Sequence, residues 1–388
     1  MNEDREDSRD QMDDPPGTSG TGSGSAAESP GAAGRTRRHR AKKLLLSAGT
    51  VLILVVVAEI ALRAGHLISK GTWDFLPAVR MASELYEPHP YLCYAMKPGA
   101  RFIGHGGQTR INRWGCRGRD VERVKPDGVV RIACLGGSTT FSLNASDNDH
   151  TWPAQLERIL NERHGPTRFE VLNFGTPGYC VVESFLIFSL RAVDLDPDII
   201  LMQDALNDVY AVFRPDVVSD YTHFRGPYTR LSGKWLGRSA IGRLVIAAAA
   251  RAGQPSRSFS PTLSKEGVRL FQRYVESTVL MARAREIQPV IVTMPDRLPR
   301  DEEECRKHSV EIALTRVLIE GLRRVSRGRN VPLIDLSATF PKDPRYFTDD
   351  THKTDEGLEL AARMIADGLQ QNGVLARALE QRGGMASD

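Results

Sequence analysis

The stretch IACLGGSTTFS, residues 132–142, joins an apolar run to two glycines and a serine. A short apolar run bounded by glycine is typical of a buried strand that ends in a tight turn. The serine after the turn leaves three interpretations: a phosphate-binding loop, a structural turn without chemistry, and a nucleophile presented at a strand end. The first is disfavoured, because neither a GxGxxG nor a GxxxxGK[ST] pattern occurs there.

Strands and helices alternate from this stretch onward. The predicted strands cover residues 129–136, 169–175, 198–203, 289–295 and 331–336. The predicted helices cover residues 151–163, 181–193, 264–286, 306–326 and 355–371. Such alternation predicts an α/β fold, a three-layer α/β/α sandwich whose mainly parallel sheet is covered by helices on both faces.

Composition excludes several functional classes. The 388 residues carry a formal net charge of +4, and the basic residues do not form a long face interleaved with aromatic residues. We therefore expect no nucleic-acid partner. The five cysteines lack metal-ligand spacing, so we expect no metal site. The spacing of Cys93 and Cys116 permits a disulfide without requiring one, and the sequence gives no indication of oligomeric state.

The N-terminal region changes composition twice. Residues 1–34 are rich in Asp, Glu, Gly, Ser, Ala and Pro, which predicts disorder. The basic run RTRRHRAKK (35–43) follows, and then the apolar run LLLSAGTVLILVVVAEIAL (44–62). At about 1.5 Å per residue this run nearly covers a hydrocarbon core of about 30 Å. A cleaved signal peptide and a buried helix of a soluble domain are the alternatives to a transmembrane helix.

These observations predict the organisation of the chain. Residues 1–43 form a cytoplasmic N-terminus, because a positive flank stays on the cytoplasmic side, and residues 44–62 form an uncleaved transmembrane helix. The remaining chain is then extracytoplasmic. Within it we expect a linker and N-terminal part of the globular region (66–128), the α/β domain (129–375) and a flexible tail (376–388). Residues 210–261 are poorly periodic, which fits either a lid over the site or a surface loop.

Reactive residues cluster where predicted strands end. Ser138 follows the first strand, the segment 175–178 follows the second, and Asn207 follows the third. Asp349 and His352 lie after the last strand and before the last helix. Because the carboxyl ends of parallel strands meet at one edge of a sheet, we expect these residues to share one site.

Four short blocks, over residues 129–371, resemble the SGNH, or GDSL-type, hydrolase family, including its membrane-anchored bacterial members. GGS replaces the GDS-like turn of the nucleophile, Ser138. VLNFGTPGY carries an oxyanion-hole glycine, Gly178, with Gly175 as the alternative. ALND matches G-x-N-D except for its glycine and supplies Asn207. DDTH matches D-x-x-H.

The resemblance implies a flavodoxin-like fold and a serine-esterase mechanism. His352 would act as the base for the serine, and Asp349 would orient the histidine; spacing alone barely separates Asp349 from Asp350. The implied reaction is hydrolysis of a carboxylic ester, an acyl group on a sugar or lipid, through an acyl-serine intermediate without a cofactor. The alternatives are an O-acyltransferase acting on an envelope polysaccharide and a non-catalytic binding domain. INRWGCRG (111–118) resembles a stretch ahead of the first block in some anchored members, with no role beyond packing or lining the site.

Overall fold

The computed structural model describes residues 30–71, 73–104, 107–225, 236–253 and 264–384. Most of the segment predicted to be disordered, residues 1–34, lies outside these ranges. The chain divides into two units, Met1–Ala58 and Glu59–Asp388, and the second contains all of the sheet structure.

The secondary structure alternates as expected for an α/β chain. The described α-helices are α1 (Pro30–Lys70), α2 (Pro77–Leu85), α3 (Ser138–Phe141), α4 (Trp152–His164), α5 (Val181–Leu190), α6 (Val209–Val212), α7 (Ala240–Gly253), α8 (Lys265–Arg283), α9 (Glu302–His308), α10 (Val310–Arg329), α11 (Leu336–Thr339), α12 (Asp355–Gln371) and α13 (Val374–Gly384). The described strands are β1 (Tyr86–Glu87), β2 (Ala95–Met96), β3 (Arg101–Gly104), β4 (Gly107–Arg110), β5 (Val130–Gly136), β6 (Phe169–Asn173), β7 (Ile199–Gln203), β8 (Gln288–Val292) and β9 (Leu333–Ile334).

The central sheet has five strands in the order β6-β5-β7-β8-β9, and every pair of neighbours is parallel. In chain order this is the 2-1-3-4-5 arrangement of flavodoxin-like folds. The predicted α/β fold with a parallel sheet is confirmed. The strand order reverses between β5 and β7, and ligands of such sheets bind beyond the carboxyl ends of the strands at that point.

Both faces of the sheet are covered. Alternate residues of a strand point to opposite faces, so Ala133 and Leu135 pack in a core with α5, α8 and α10. Ile132 and Cys134 pack on the other face in a core with α4, α12 and α13. Strands buried on both faces explain why their sequences are continuously apolar rather than alternating.

Several element boundaries differ from those predicted. The helix predicted at 306–326 is two helices, α9 and α10, because the side chain of Ser309 accepts a hydrogen bond from Ile312 N and begins a new helix. The last strand, predicted at 331–336, has only two residues. Residues 376–384, predicted as part of a flexible tail, belong to α13, which buries Leu375 and Ala378.

The region ahead of the sheet contains α2 and two antiparallel hairpins, β1–β2 and β3–β4. The first helix, α1, begins before the apolar run and includes the basic cluster 35–43. Its segment Arg37–Lys70 is long and apolar enough to cross a membrane, and the apolar window within it has no buried residue. The chain thus contains a candidate membrane span.

Candidate active site

The turn after β5 brings Ser138 to the edge of the sheet at its topological switch point. Ser138 is the first residue of the short helix α3. Gly136 has a φ of +151°, and a Cβ on it would lie 2.4 Å from the carbonyl oxygen of Gln203 on β7. A Cβ on Gly137 would lie 2.8 Å from the side-chain nitrogen of Asn207. The two glycines therefore allow β5 to turn sharply against its neighbour.

Ser138, His352 and Asp349 form one hydrogen-bonded chain. The Oγ of Ser138 lies 2.7 Å from Nε2 of His352, and Nδ1 of the same ring lies 2.7 Å from Oδ2 of Asp349. These distances match the requirement of nucleophilic catalysis, in which the nucleophile touches a base and a third group orients that base. The arrangement joins residues 214 positions apart in the sequence.

The carboxylate of Asp349 is held in its ionised form. Its Oδ1 accepts hydrogen bonds from the backbone N–H groups of Thr351 (2.9 Å) and His352 (2.8 Å). Partial burial alone would raise the pKa of Asp349, but the hydrogen bonds from the His352 side chain and these backbone groups hold that pKa well below its usual range. A fixed negative charge thus faces Nδ1 of the imidazole.

The structure distinguishes the two adjacent aspartates that spacing could not. Asp350 points to Arg297, whose Nε donates to its Oδ1 at 2.9 Å. This ion pair is exposed, since about two-fifths of each side chain remains accessible. Of the two aspartates, only Asp349 forms a hydrogen bond with the His352 ring within the described part of the chain.

Three donors lie on the segments that surround Ser138. The side chain of Asn207, just after β7, donates one of its two amide hydrogens to the carbonyl of Tyr179 at 2.8 Å. The second amide hydrogen has no partner among the described residues, and neither do the backbone N–H groups of Ser138 and Gly178. An oxyanion hole requires unpaired donors beside the nucleophile, and Ser138 and Asn207 both line the cavity beside the Ser138 side chain.

Gly178 and Gly175 have different roles in the turn after β6. Gly175 N–H donates to Oδ1 of Asn173 at 3.0 Å, and a Cβ on Gly175 would lie 2.3 Å from Phe141 N in α3. Gly175 is therefore used for close packing. Gly178 adopts a φ of +84°, which favours glycine, and its N–H is not used within the described part of the chain.

The space beside Ser138 is small. A narrow cavity there is lined by Gly137, Ser138, Thr139, Tyr179, Gln203, Asp204, Ala205, Leu206, Asn207 and Met294. The space open to a water-sized sphere is about 10 Å³, which is roughly the room that one water needs.

Arg117 binds the C-terminal end of α3, the short helix that begins at Ser138, a contact that the sequence did not reveal. Its guanidinium donates to the carbonyl oxygens of Phe141 (3.1 Å) and Ser142 (2.6 Å), and it lies 4.8 Å from the centre of the Phe141 ring. It also donates to the carbonyl of Asp147 at 3.0 Å. Burial lowers the pKa of Arg117 to about 10. The C-terminal end of α3 is thereby fixed by a buried cation, which complements the helix dipole.

A buried carboxyl group lies directly behind Asn207. Asp208 accepts a hydrogen bond from Val181 N (3.1 Å) at the start of α5, and the hydroxyl of Tyr221 donates to it at 3.3 Å. Burial raises the pKa of Asp208 well above its usual value, and Asp204 adds to this. Tyr221 belongs to the stretch 210–261, so at this buried residue the stretch packs against the residue next to Asn207.

One comparison with known proteins identifies a family. The sequence profile of the GDSL-like Lipase/Acylhydrolase family matches residues 134–360, more than half of the chain. No curated protein sequence matches.

A comparison with solved structures finds several similar chains. A lipase/acylhydrolase from Enterococcus faecalis is 14% identical with a TM-score of 0.39, covering 63% of this chain and 96% of that chain. A catalytic mutant of an acetylxylan esterase from Geobacillus stearothermophilus is 14% identical with a TM-score of 0.41, covering 64% of this chain and 97% of that chain. An alpha/beta hydrolase from the metagenome of Lake Arreo, Spain, is 17% identical with a TM-score of 0.41, covering 64% of this chain and 97% of that chain.

The family profile confirms the resemblance drawn from the four blocks, and the matched range includes all four of them. The chain belongs to the GDSL-like lipase/acylhydrolase family of ester-hydrolysing enzymes.

Proposed function

We propose that this chain is a membrane-anchored serine esterase in which Ser138 attacks the carbonyl carbon of a small acyl ester. The observation that carries the proposal is the continuous hydrogen bonding from Ser138 Oγ through the His352 ring to Asp349. A serine hydroxyl is a weak nucleophile until an adjacent base removes its proton. Asp349 is the group that keeps the His352 ring in the orientation in which Nε2 can accept that proton.

The reaction proceeds in two similar halves. The Ser138 Oγ–H proton moves to Nε2 of His352 while the Oγ–carbon bond forms and the carbonyl oxygen becomes an oxyanion. Collapse of this intermediate breaks the ester C–O bond, and the leaving alcohol takes the proton from Nε2. Water then attacks the acyl-serine with the same base, which releases the carboxylic acid and restores Ser138.

The oxyanion requires hydrogen-bond donors beside Ser138. We assign this role to the backbone N–H groups of Ser138 and Gly178 and to the amide hydrogen of Asn207 that does not bind Tyr179. Preorganised donors stabilise the developing charge because they need no reorientation during the reaction. No cofactor is needed for any step of this scheme.

The narrow cavity supports a short acyl group. A space with room for roughly one water accommodates an acetyl methyl more readily than a long alkyl chain. We expect kcat/KM to fall at least about tenfold between p-nitrophenyl acetate and p-nitrophenyl octanoate, since overfilling a packed site costs roughly 1–3 kcal/mol. The sugar or lipid alcohol of the natural ester would lie outside this cavity.

The anchor is assigned to residues 44–62, with the N-terminus cytoplasmic and the enzyme domain extracytoplasmic. Support comes from the exposed apolar side chains of α1 and from the basic cluster at one end of the run only. Alkaline carbonate should leave the full-length chain in the membrane pellet. Recovery of the chain in the supernatant would contradict the proposed anchor but would not bear on the proposed esterase reaction.

The chemistry is tested with the full-length chain in neutral detergent and p-nitrophenyl acetate as substrate. We expect hydrolysis by the wild type and only background rates for Ser138→Ala and His352→Ala, because either change removes the activated nucleophile. Equal rates in the wild type and Ser138→Ala would contradict the proposed esterase.

A further inference from the structure

A second cleft, of about 830 Å³, is lined by residues that take no part in the site around Ser138. Five of its ten lining residues are arginines and only two are acidic. The cleft therefore carries an excess of positive charge, which suits an anionic ligand.

Two of these arginines have no partner in the described part of the chain. Arg80 pairs with Asp74 (2.9 Å) and Glu84 (3.3 Å), and Arg243 also pairs with Asp74 (2.6 Å). By contrast, the side chains of Arg101 and Arg238 are exposed and make no hydrogen bond or ion pair with a described residue. Their donors are available to a ligand that enters the cleft.

The cleft lies at the end of the apolar run of α1. Glu59, within that run, accepts hydrogen bonds from the backbone N–H groups of Ala240 (2.7 Å) and Ile241 (3.1 Å) at the start of α7. Arg63, which follows the run directly, lines the cleft and donates to the carbonyl of Arg238 at 2.7 Å. Through these hydrogen bonds, residues 238–241 are bound to Glu59 and Arg63, where the proposed membrane span ends.

Exposed apolar side chains lie beside Arg101 and Arg238. Trp73 and Ile103 line the cleft and are 48% and 69% exposed. Leu244 and Val245, next along α7, are also exposed. An amphipathic tryptophan beside arginine is typical of the level of lipid headgroups, where its ring contacts the acyl boundary and the cation meets phosphate.

We propose that this cleft binds the phosphate headgroup of an anionic membrane lipid through Arg101 and Arg238, which holds the enzyme domain against the bilayer. The inference rests on the proposed membrane anchor and not on the proposed esterase chemistry. The partner is the lipid surface that the helix itself enters. The docking contact also limits how far the Ser138 site can move from the membrane.

The test uses the full-length chain in a neutral detergent, titrated with dioleoylphosphatidylglycerol or dioleoylphosphatidylcholine, with bound lipid counted by native mass spectrometry. The wild type should bind the first phosphatidylglycerol at least about tenfold more tightly than phosphatidylcholine. The Arg101→Gln/Arg238→Gln variant should bind it about 30-fold more weakly, since each arginine near an anionic surface contributes on the order of 1 kcal/mol.

The matched control is Arg306→Gln/Arg324→Gln, which removes the same charge from exposed arginines on α9 and α10. The control should bind like the wild type; equal weakening in both variants, or none in the cleft variant, would overturn the proposal. Displacement of the lipid by millimolar inorganic phosphate would also overturn it in favour of a free-phosphate site.

Unchanged hydrolysis of p-nitrophenyl acetate in the cleft variant shows that the domain is folded, and carbonate extraction of the wild type tests the anchor separately.

Discussion

Replacing Asp349 by asparagine should trap His352 in the tautomer that cannot accept the proton of Ser138. Oδ1 of Asp349 accepts hydrogen bonds from the backbone N–H groups of Thr351 (2.9 Å) and His352 (2.8 Å). Because both groups are donors, only an acceptor such as an oxygen is stable at that position. In Asp349→Asn the amide oxygen therefore stays there, and the NH2 group takes the position of Oδ2, 2.7 Å from Nδ1 of His352. Nδ1 must then accept a hydrogen bond, which leaves the ring proton on Nε2, facing Ser138.

The expected loss is large and falls on kcat. An aspartate-to-asparagine change of this kind in a serine hydrolase triad lowers kcat about 10⁴-fold, or roughly 5.5 kcal/mol at 1.36 kcal/mol per tenfold. KM should change little, because Asp349 is not among the residues that line the cavity beside Ser138.

Asp350→Asn is the matched control for this variant, since it removes the same charge from the adjacent residue. Its carboxylate pairs with Arg297 in an exposed ion pair, so its loss should change kcat by no more than about twofold. Both variants are compared by initial rates on p-nitrophenyl acetate. A loss of less than about tenfold in Asp349→Asn, or similar losses in both variants, would refute the tautomer argument.

Three further changes test the surroundings of the site. Asn207→Ala should lower kcat about 100-fold with little effect on KM, because one oxyanion donor contributes about 3 kcal/mol; an unchanged kcat would remove Asn207 from the oxyanion hole. Arg117→Met should lower the free energy of unfolding by about 3 kcal/mol in urea titrations, because the carbonyls it binds in α3 lose a buried donor; a shift below about 1 kcal/mol would contradict this. Lys353→Met should raise the free energy of unfolding at pH 7 by roughly 3 kcal/mol, because burial lowers the pKa of Lys353 to about 8 and so penalises its charged form. The wild type should regain most of this stability as the pH rises from about 8 to about 10.5, because the buried lysine is already neutral in the folded state over that range while the unfolded state still loses its proton; an undiminished difference at pH 10.5, or an equal difference for the exposed Lys307→Met, would contradict the linkage.

Local signals in the sequence predicted elements whose ends are set by local contacts. The last predicted helix, α12, has the predicted bounds, and it begins at Asp355 because Thr354 caps it and Asp355 and Glu356 occupy its first turn. The break at Ser309 was missed, although serine is a common cap, because apolar periodicity continues across it. The C-terminal α13 was missed because its reason to fold is the burial of Val374, Leu375 and Ala378 against the sheet domain, which is a tertiary effect.

The same distinction applies to the site. The blocks around Ser138 and His352 could be read from the sequence because their chemistry requires particular residue types at fixed places after strands. The different environments of Asp349 and Asp350 could not be predicted, because Asp350 pairs with Arg297, which is more than fifty residues away in sequence. The contacts of Arg117 with α3 likewise join residues that are distant in the chain, and an arginine in a polar segment carries no signal for them.

The central claim is that Ser138 is the nucleophile, and covalent labelling tests it most directly. An alkyl p-nitrophenyl phosphonate is attacked by an activated serine oxygen, which forms an O–P bond and expels p-nitrophenolate. After treatment of the full-length chain, intact mass and peptide mapping should find a single adduct, on Ser138, that forms in step with loss of esterase activity. An adduct on another residue, or complete inhibition with Ser138 unmodified, would contradict the account.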